Sequence, residues 1–345
     1  MITGREQKTA LQVKTMQEAK AANLQKKGRN LPLDLLKLLM SFFVVFSHSN
    51  MLRDIDTFTH HIADNALFRA TVPCFLIISG YYFYKVIERK KIRLWAKRFA
   101  ITYGIWMTVY IFFWIPREVN SATDVFWILK TVFYGYYHLW YLSGALCAGT
   151  MLYYLQRKLS DFSLVLTGLA LYSAGVLLQY SFLYDWFEGS AIHQAAQIES
   201  SFRNFLFYAF PFFLSGYLIK KHNLANKIKK QHLRVLLALS LVSLFCEIYF
   251  HYLNTVKTDG YIHIISYTYA CPLAIMSVLA MRIQTSTQIF ARMSAGIYYI
   301  HPLFLILFWT QDKFSTVFVG TASLLMSALG ALLLIQINKK VKYLL

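Results

Sequence analysis

Ten mostly apolar stretches alternate along the chain with polar connections, at 31–52, 66–86, 98–115, 138–156, 162–180, 202–219, 233–252, 262–281, 291–310 and 315–337. A helix rises 1.5 Å per residue and the hydrocarbon of a bilayer takes about 20 residues to cross. The pattern therefore predicts an all-α, polytopic membrane protein of about ten transmembrane helices. No Gly/Ser linker interrupts it, so residues 31–345 read as one membrane domain behind a basic tail at 1–30. An even number of crossings puts both termini on one side. The longest connections, 52–65, 116–137 and 181–201, all fall on the other side, where exposed loops are suited to handling a substrate.

Composition agrees with the pattern, and charge orients it. Of 345 residues, 57% are hydrophobic and only 15% charged, too few charges for a water-soluble chain of this length. The net charge of +19 raises nucleic acid as a partner, but its distribution argues otherwise. Twenty-seven Lys and Arg lie in the tails and in the connections on the side of the termini, and only Arg53, Arg117, Lys130, Lys257 and Lys313 on the other. By the positive-inside rule both termini are expected in the cytoplasm, and the basic charge is a topology signal. The 85–98 connection, KVIERKKIRLWAKR, also suits a polyphosphate ligand. Residues 1–28 lack an apolar core and are expected to be a retained tail, not a signal peptide. Cys74, Cys147, Cys246 and Cys271 all lie inside apolar stretches without paired spacing, so neither disulfides nor a metal site is expected.

The polar residues inside the apolar stretches carry the candidate chemistry. In the first, RNLPLDLLKLLMSFFVVFSHSNM, Asp34, Lys37, Ser41 and His48 fall within roughly a 60° arc of one helical face. Ionisable groups in hydrocarbon cost about 2.5 kcal/mol each or more, so they face a protein interior or a wet cavity. An Asp34–Lys37 pair accounts for two of them and leaves His48 three turns further on. Asp34 is no triad partner for His48, because fourteen residues of helix separate them by about 21 Å. Arg69 and Arg203, at the outer ends of the second and sixth stretches, either anchor at the interface or meet an anionic group. His138 and Trp140 open the fourth stretch as HLWYL, either as interfacial residues or as substrate contacts. In the seventh, Ser240, Ser243, Glu247 and His251 share a face within roughly 80°. Glu247 with His251 is either an acid/base couple or a structural hydrogen bond. In the ninth, MSAGIYYIHPLF, Ser294, Tyr298 and His301 share a face. His301 either takes part in chemistry or pairs with a backbone carbonyl freed by Pro302. Ser79-Gly80 reads as a close-packing site. Its stretch, VPCFLIISGYYFYK at 72–85, is echoed by PFFLSGYLIK at 211–220, both ending helices that run from outside to inside.

The set also carries a resemblance. An Asp, then a basic residue, then ten residues, then His in the first stretch, with the SGY, HLWYL and SAGIYYIHP segments following in order, resembles the integral-membrane acyltransferase family 3. The basic residue is Lys37 where the family usually has Arg, which keeps the charge but not the bidentate fork. The resemblance implies acyl transfer, with acetyl-CoA as donor and no metal, to a hydroxyl of a cell-surface glycan or its lipid-linked precursor. It further implies a bacterial cytoplasmic membrane, with membrane lipid and the glycan acceptor as partners. His48 is then the expected base and Lys37 the charge that meets the donor, with Asp34 holding Lys37. Glu247 is a second acid/base candidate. Arg69, His138, Trp140, Arg203 and His301 are expected around the substrate. A glycan-lipid exporter is the alternative, because intramembrane charges also mark transport paths.

Overall fold

A computed structural model describes residues 28–255, 261–309 and 313–345. The predicted tail up to residue 27, and Lys257, Asp259 and Asp312 of the predicted outer face, lie outside the described residues. The fold is all-α, as expected. Its long helices are α1 (Leu31–His48), α2 (Thr71–Glu88), α3 (Ile92–Val109), α4 (Ala122–Tyr134), α5 (Trp140–Leu155), α6 (Asp161–Leu183), α7 (Phe210–Lys221), α8 (Lys230–Asn254), α9 (Tyr267–Leu279), α10 (Ile289–Trp309) and α11 (Thr316–Ile337).

Every one of the ten apolar stretches holds a helix, but among the described residues only six are long and apolar enough to cross a membrane. These are α1, the continuous Thr57–Glu88 run that ends in α2, α6, α8, α10 and α11. Of the other four, α3 carries Arg93, Lys97 and Arg98, while α5, α7 and α9 have 16, 12 and 13 residues. The eleventh helix, α4, fills part of the 116–137 connection. It starts at a capping box in which Ser121 and Asp124 serve each other's backbone N–H, and the Ser121 hydroxyl holds the Asp124 carboxyl below the usual carboxylate range. Aliphatic side chains such as Leu239, Val242, Leu325 and Leu333 stand exposed along α8 and α11, an arrangement suited to lipid contact. The chain is a multi-pass membrane protein.

In lipid, apolar burial gives little drive for helices to associate, so close backbone approach and interhelical hydrogen bonds hold the bundle. The tightest approach joins the two echoed segments. A Cβ on Gly80 of α2 would sit 1.8 Å from the Phe213 carbonyl oxygen, and one on Gly216 of α7 would sit 1.8 Å from that of Ile77. Each Ser-Gly step is thus the notch that receives the other helix. Each of these helices is also preceded by a single π-helical turn, Asp64–Phe68 before α2 and Phe205–Ala209 before α7. The second is capped by Asn204, whose side-chain oxygen accepts from the Leu206 and Phe207 N–H groups at 2.9 and 3.0 Å. Such turns recur at functional sites. Here Arg69 follows the first and Arg203 precedes the second.

The entry to α1 is fixed at both ends of its cap. Asn30 accepts from the Leu33 N–H at 2.9 Å, and Arg29–Asn30 (β1) pairs antiparallel with Gln284–Thr285 (β2). The polar stripe of α1 then lies against α10: the Ser294 hydroxyl donates to the Lys37 carbonyl at 2.7 Å, and His48, three turns further along α1, meets His301, two turns further along α10.

Candidate active site

Two cavities lie along this α1–α10 seam. The first, called inner for its place toward the Arg29 end of α1, is about 380 Å³ and is lined mainly by apolar and aromatic side chains of α2, α3 and α10, among them Phe75, Tyr82, Trp95 and Tyr299, with Lys37 as its cation. A neighbouring recess of about 350 Å³ shares Trp95, Phe99 and Tyr299 with it and adds Lys91 and Arg98. The second, called outer for its place at the His48 end of α1, is about 530 Å³ and more polar than the first, lined by His48, Arg69, Tyr137, His138, Trp140 and Arg203, with Glu199 among them. Tyr141 and Tyr298 line both the inner and outer cavities and form the wall between them.

At the inner end, the Arg29 guanidinium grips the buried Asp34 carboxylate with both arms, at 2.7 and 2.9 Å. Lys37 reaches the same carboxylate at only 3.4 Å and lies 5.0 Å from the Tyr82 ring. The expected Asp34–Lys37 pair is therefore present, but Arg29 is the stronger partner, because a bidentate fork beats a single long contact. That leaves the Lys37 ammonium directed at the inner cavity with most of its hydrogen-bonding capacity unused.

At the outer end the three histidines gather. His48 Nδ1 lies 2.8 Å from His301 Nε2, and His301 Nδ1 lies 2.8 Å from the Tyr298 carbonyl and 3.2 Å from that of Ile297. His138 packs edge-on to His301 with ring centres 5.1 Å apart. It is 3% exposed, and neither of its ring nitrogens has a hydrogen-bond partner among the described residues. A buried imidazole left this way costs free energy unless something else completes it. Tyr137 covers the His48 ring at 4.7 Å.

Both arginines are held by acids. Arg69 Nε donates to Asp64 at 2.6 Å, and Asp64 also accepts from the Ser47 hydroxyl at 2.7 Å. Arg203 pairs with Glu199 at 2.7 Å, donates to the Tyr134 hydroxyl at 3.1 Å and stacks over Trp140 at 5.1 Å. The lining is thus charged but locally balanced.

Of the residues singled out from sequence, His48, Arg69, His138, Trp140 and Arg203 line one cavity, His301 stands directly behind His48, and Lys37 with Asp34 lies at the inner end. Glu247 is elsewhere. Its carboxylate accepts the Ile265 and Ser266 N–H groups at 2.6 and 2.7 Å, just before α9 begins, and the Tyr180 hydroxyl at 3.3 Å. His251 lies 3.8 Å from that carboxylate; because the Tyr180 hydroxyl donates to Glu247, His251 Nε2–H donates to Tyr180 at 3.0 Å and Nδ1 accepts from the Tyr184 hydroxyl at 2.6 Å. Sequence reasoning missed Arg29, Tyr141, Asp64 and Glu199. Tyr141 sits inside the quoted HLWYL segment, but one tyrosine among 24 offers no signal of its own.

A family model described as an acyltransferase domain matches residues 30–336. No curated protein and no solved structure matches the chain.

Proposed function

The chain belongs to this integral-membrane acyltransferase family 3, and from that premise we propose that it transfers acetyl from acetyl-CoA to a hydroxyl of a cell-surface glycan or its lipid-linked precursor. The observation that carries the reading is the pair of cavities on either side of the Tyr141–Tyr298 wall, one apolar with a lysine, the other polar with three histidines at its edge. An apolar slot suits the pantetheine arm and acyl group of a CoA thioester. Lys91 and Arg98 in the adjoining recess suit its phosphates. A polar cavity with Trp140 and Tyr137 suits a sugar, whose ring stacks on aromatics while its hydroxyls find Arg69, His138 and Arg203.

In this reading the acceptor hydroxyl gives its proton to His48 through Nε2, the nitrogen turned away from His301. The hydroxyl oxygen forms a bond to the thioester carbon, the carbon–sulfur bond breaks, and the proton passes to the departing CoA sulfur. His48 suits this because a neutral imidazole accepts a proton at its bare ring nitrogen. Lys37 has a different task. Eleven residues of helix put it about 16 Å from His48, so it meets an anionic or polar part of the donor and not the developing oxyanion. Donor entry from the cytoplasm and acceptor entry from outside, in a bacterial inner membrane with both termini cytoplasmic, complete the proposal.

The test is CoA release by purified, reconstituted protein from acetyl-CoA, with extracts of lipid-linked glycan as acceptor. Wild type should release CoA only with acceptor present. His48→Gln, which keeps a hydrogen bond but cannot take the proton, should lose about 10²-fold to 10⁴-fold, the scale of one acid–base group. No release by wild type with any glycan, together with a block of surface glycan in cells lacking the protein, favours an exporter. Undiminished release by His48→Gln removes His48 from the chemistry.

A further inference from the structure

The fourth residue after Tyr298 is Pro302. In a regular helix the N–H of residue 302 would bond the Tyr298 carbonyl, and proline has none to give. A carbonyl left open inside a membrane bundle must find a donor nearby. It finds one in the side chain of His301, whose Nδ1 lies 2.8 Å away, with the Ile297 carbonyl at 3.2 Å. Carbonyl oxygens only accept, so the proton is on His301 Nδ1. In the neutral ring Nε2 is then a bare lone pair. That lone pair faces His48 Nδ1 at 2.8 Å, so His48 must be the donor and must carry its own proton on Nδ1. The rings confirm an in-plane bond: their centres are 5.1 Å apart and their planes differ by 11°, as for two imidazoles lying edge to edge.

Each step in this chain removes one freedom. Proline frees a carbonyl, the carbonyl fixes the tautomer of His301, and His301 fixes the tautomer of His48. What remains is His48 Nε2, unprotonated and without a partner among the described residues, on a ring that lines the outer cavity. We propose that His301 is a positioning residue that selects the His48 tautomer with a bare Nε2, through a backbone carbonyl opened by Pro302. A carboxylate commonly orients a catalytic histidine, and here a carbonyl and a second imidazole take that place. When His48 gains a proton, its Nδ1–H bond to His301 becomes charge-assisted and strengthens. The catalytic consequence rests on the acyl-transfer reading, but the tautomer does not.

The experiment is ¹⁵N NMR of the full chain in lipid nanodiscs with ¹⁵N-labelled histidine, where ring-nitrogen shifts separate protonated from bare nitrogens. The His48 signals are identified by their loss in His48→Gln. Neutral His48 should show a protonated Nδ1 and a bare Nε2. In His301→Leu, where nothing accepts from Nδ1, the signals should move toward the Nε2–H form that an unrestrained imidazole favours. In His301→Gln, whose side-chain carbonyl can accept from Nδ1, the native pattern should return. CoA release should follow the same order, falling about 10²-fold in Leu and recovering most of that in Gln, with the KM for acetyl-CoA unchanged in both. A protonated His48 Nε2 in wild type overturns the proposal, and so does a native His48 pattern in His301→Leu. If His301→Leu does not fold, the wild-type and His301→Gln spectra decide it. The expected spectra without CoA release from wild type would support the tautomer assignment and defeat the acyl-transfer reading instead.

Discussion

At the scale of single residues, Lys37 is where the structure changes the argument most. With Asp34 and Lys37 as an isolated pair, removing the lysine would strand a buried carboxylate at a cost of about 3–5 kcal/mol. Arg29 already holds both carboxylate oxygens, so Asp34 keeps its main partner when Lys37 is gone. Lys37→Ala should therefore leave protein abundance within about twofold while acceptor-dependent CoA release falls by at least about tenfold, roughly 1.4 kcal/mol of lost donor interaction. Lys37→Arg, which keeps the charge, should retain much of the activity. Full turnover in Lys37→Ala would make the residue structural, and a collapse in abundance would mean that Arg29 does not suffice. The stripe itself was legible in sequence, because a polar face on an apolar helix needs only the helical period to be seen. Arg29 was not, since it stands as the last basic residue of a basic tail, and only the β1–β2 pairing and the α1 cap turn it back onto Asp34.

Among elements, the α2–α7 crossing organises the bundle, and it explains the echo between 72–85 and 211–220. The Ser-Gly step reads as a packing site from sequence alone. That the two steps receive each other does not, because nothing local says which helix fills a notch. The π-turns that aim Arg69 and Arg203 were also hidden, since an i→i+5 turn has no composition of its own. The reciprocal contact makes a sharp expectation. Gly216→Ala puts a methyl against a backbone carbonyl that cannot swing aside, and should cost about 1–3 kcal/mol or more. Gly104→Ala in α3, where a Cβ meets nothing within 4 Å, should be neutral or stabilising by about 0.5–1 kcal/mol. Thermal aggregation midpoints of the two variants in detergent give the comparison, and equal midpoints would remove the crossing from its central place. Glu247 illustrates the opposite limit of element-scale reading. Its helical face and its neighbour His251 left acid–base chemistry and a structural hydrogen bond both open, and the carboxylate accepts from the N–H groups that open α9, a partner 18 residues away that periodicity does not reveal.

For the whole molecule, the structure supplies a geometry with two ends, and the charge count gives the expectation of which end faces the cytoplasm. Asp161, at the start of α6, pairs with Lys221 at 2.6 Å and with His222 at 2.9 Å, at the end of α7, so those two ends lie together. The 23 residues of α6 then carry the chain about 35 Å to the opposite end, where the 184–204 connection begins and delivers Arg203 to the outer cavity. The cavities were not legible in sequence, since each is assembled from helices far apart in the chain; the lysines and arginines give only the expected side of the membrane for each end of the bundle. If the basic end is cytoplasmic, Lys91 and Arg98 face the CoA pool and the polar cavity faces outward. Glu188→Cys and Lys229→Cys place exposed thiols just beyond opposite ends of this layout. The native cysteines serve as a blank, because all four lie within helices of the bundle, two of them buried, and a charged maleimide does not reach the interior of a membrane. In intact cells the reagent should label Glu188→Cys and spare Lys229→Cys, and after the membrane is opened it should label both. Labelling of Lys229→Cys alone in intact cells would invert the molecule, putting the lysine-lined cavity outside, where no acetyl-CoA is made, and would defeat the donor assignment along with the topology.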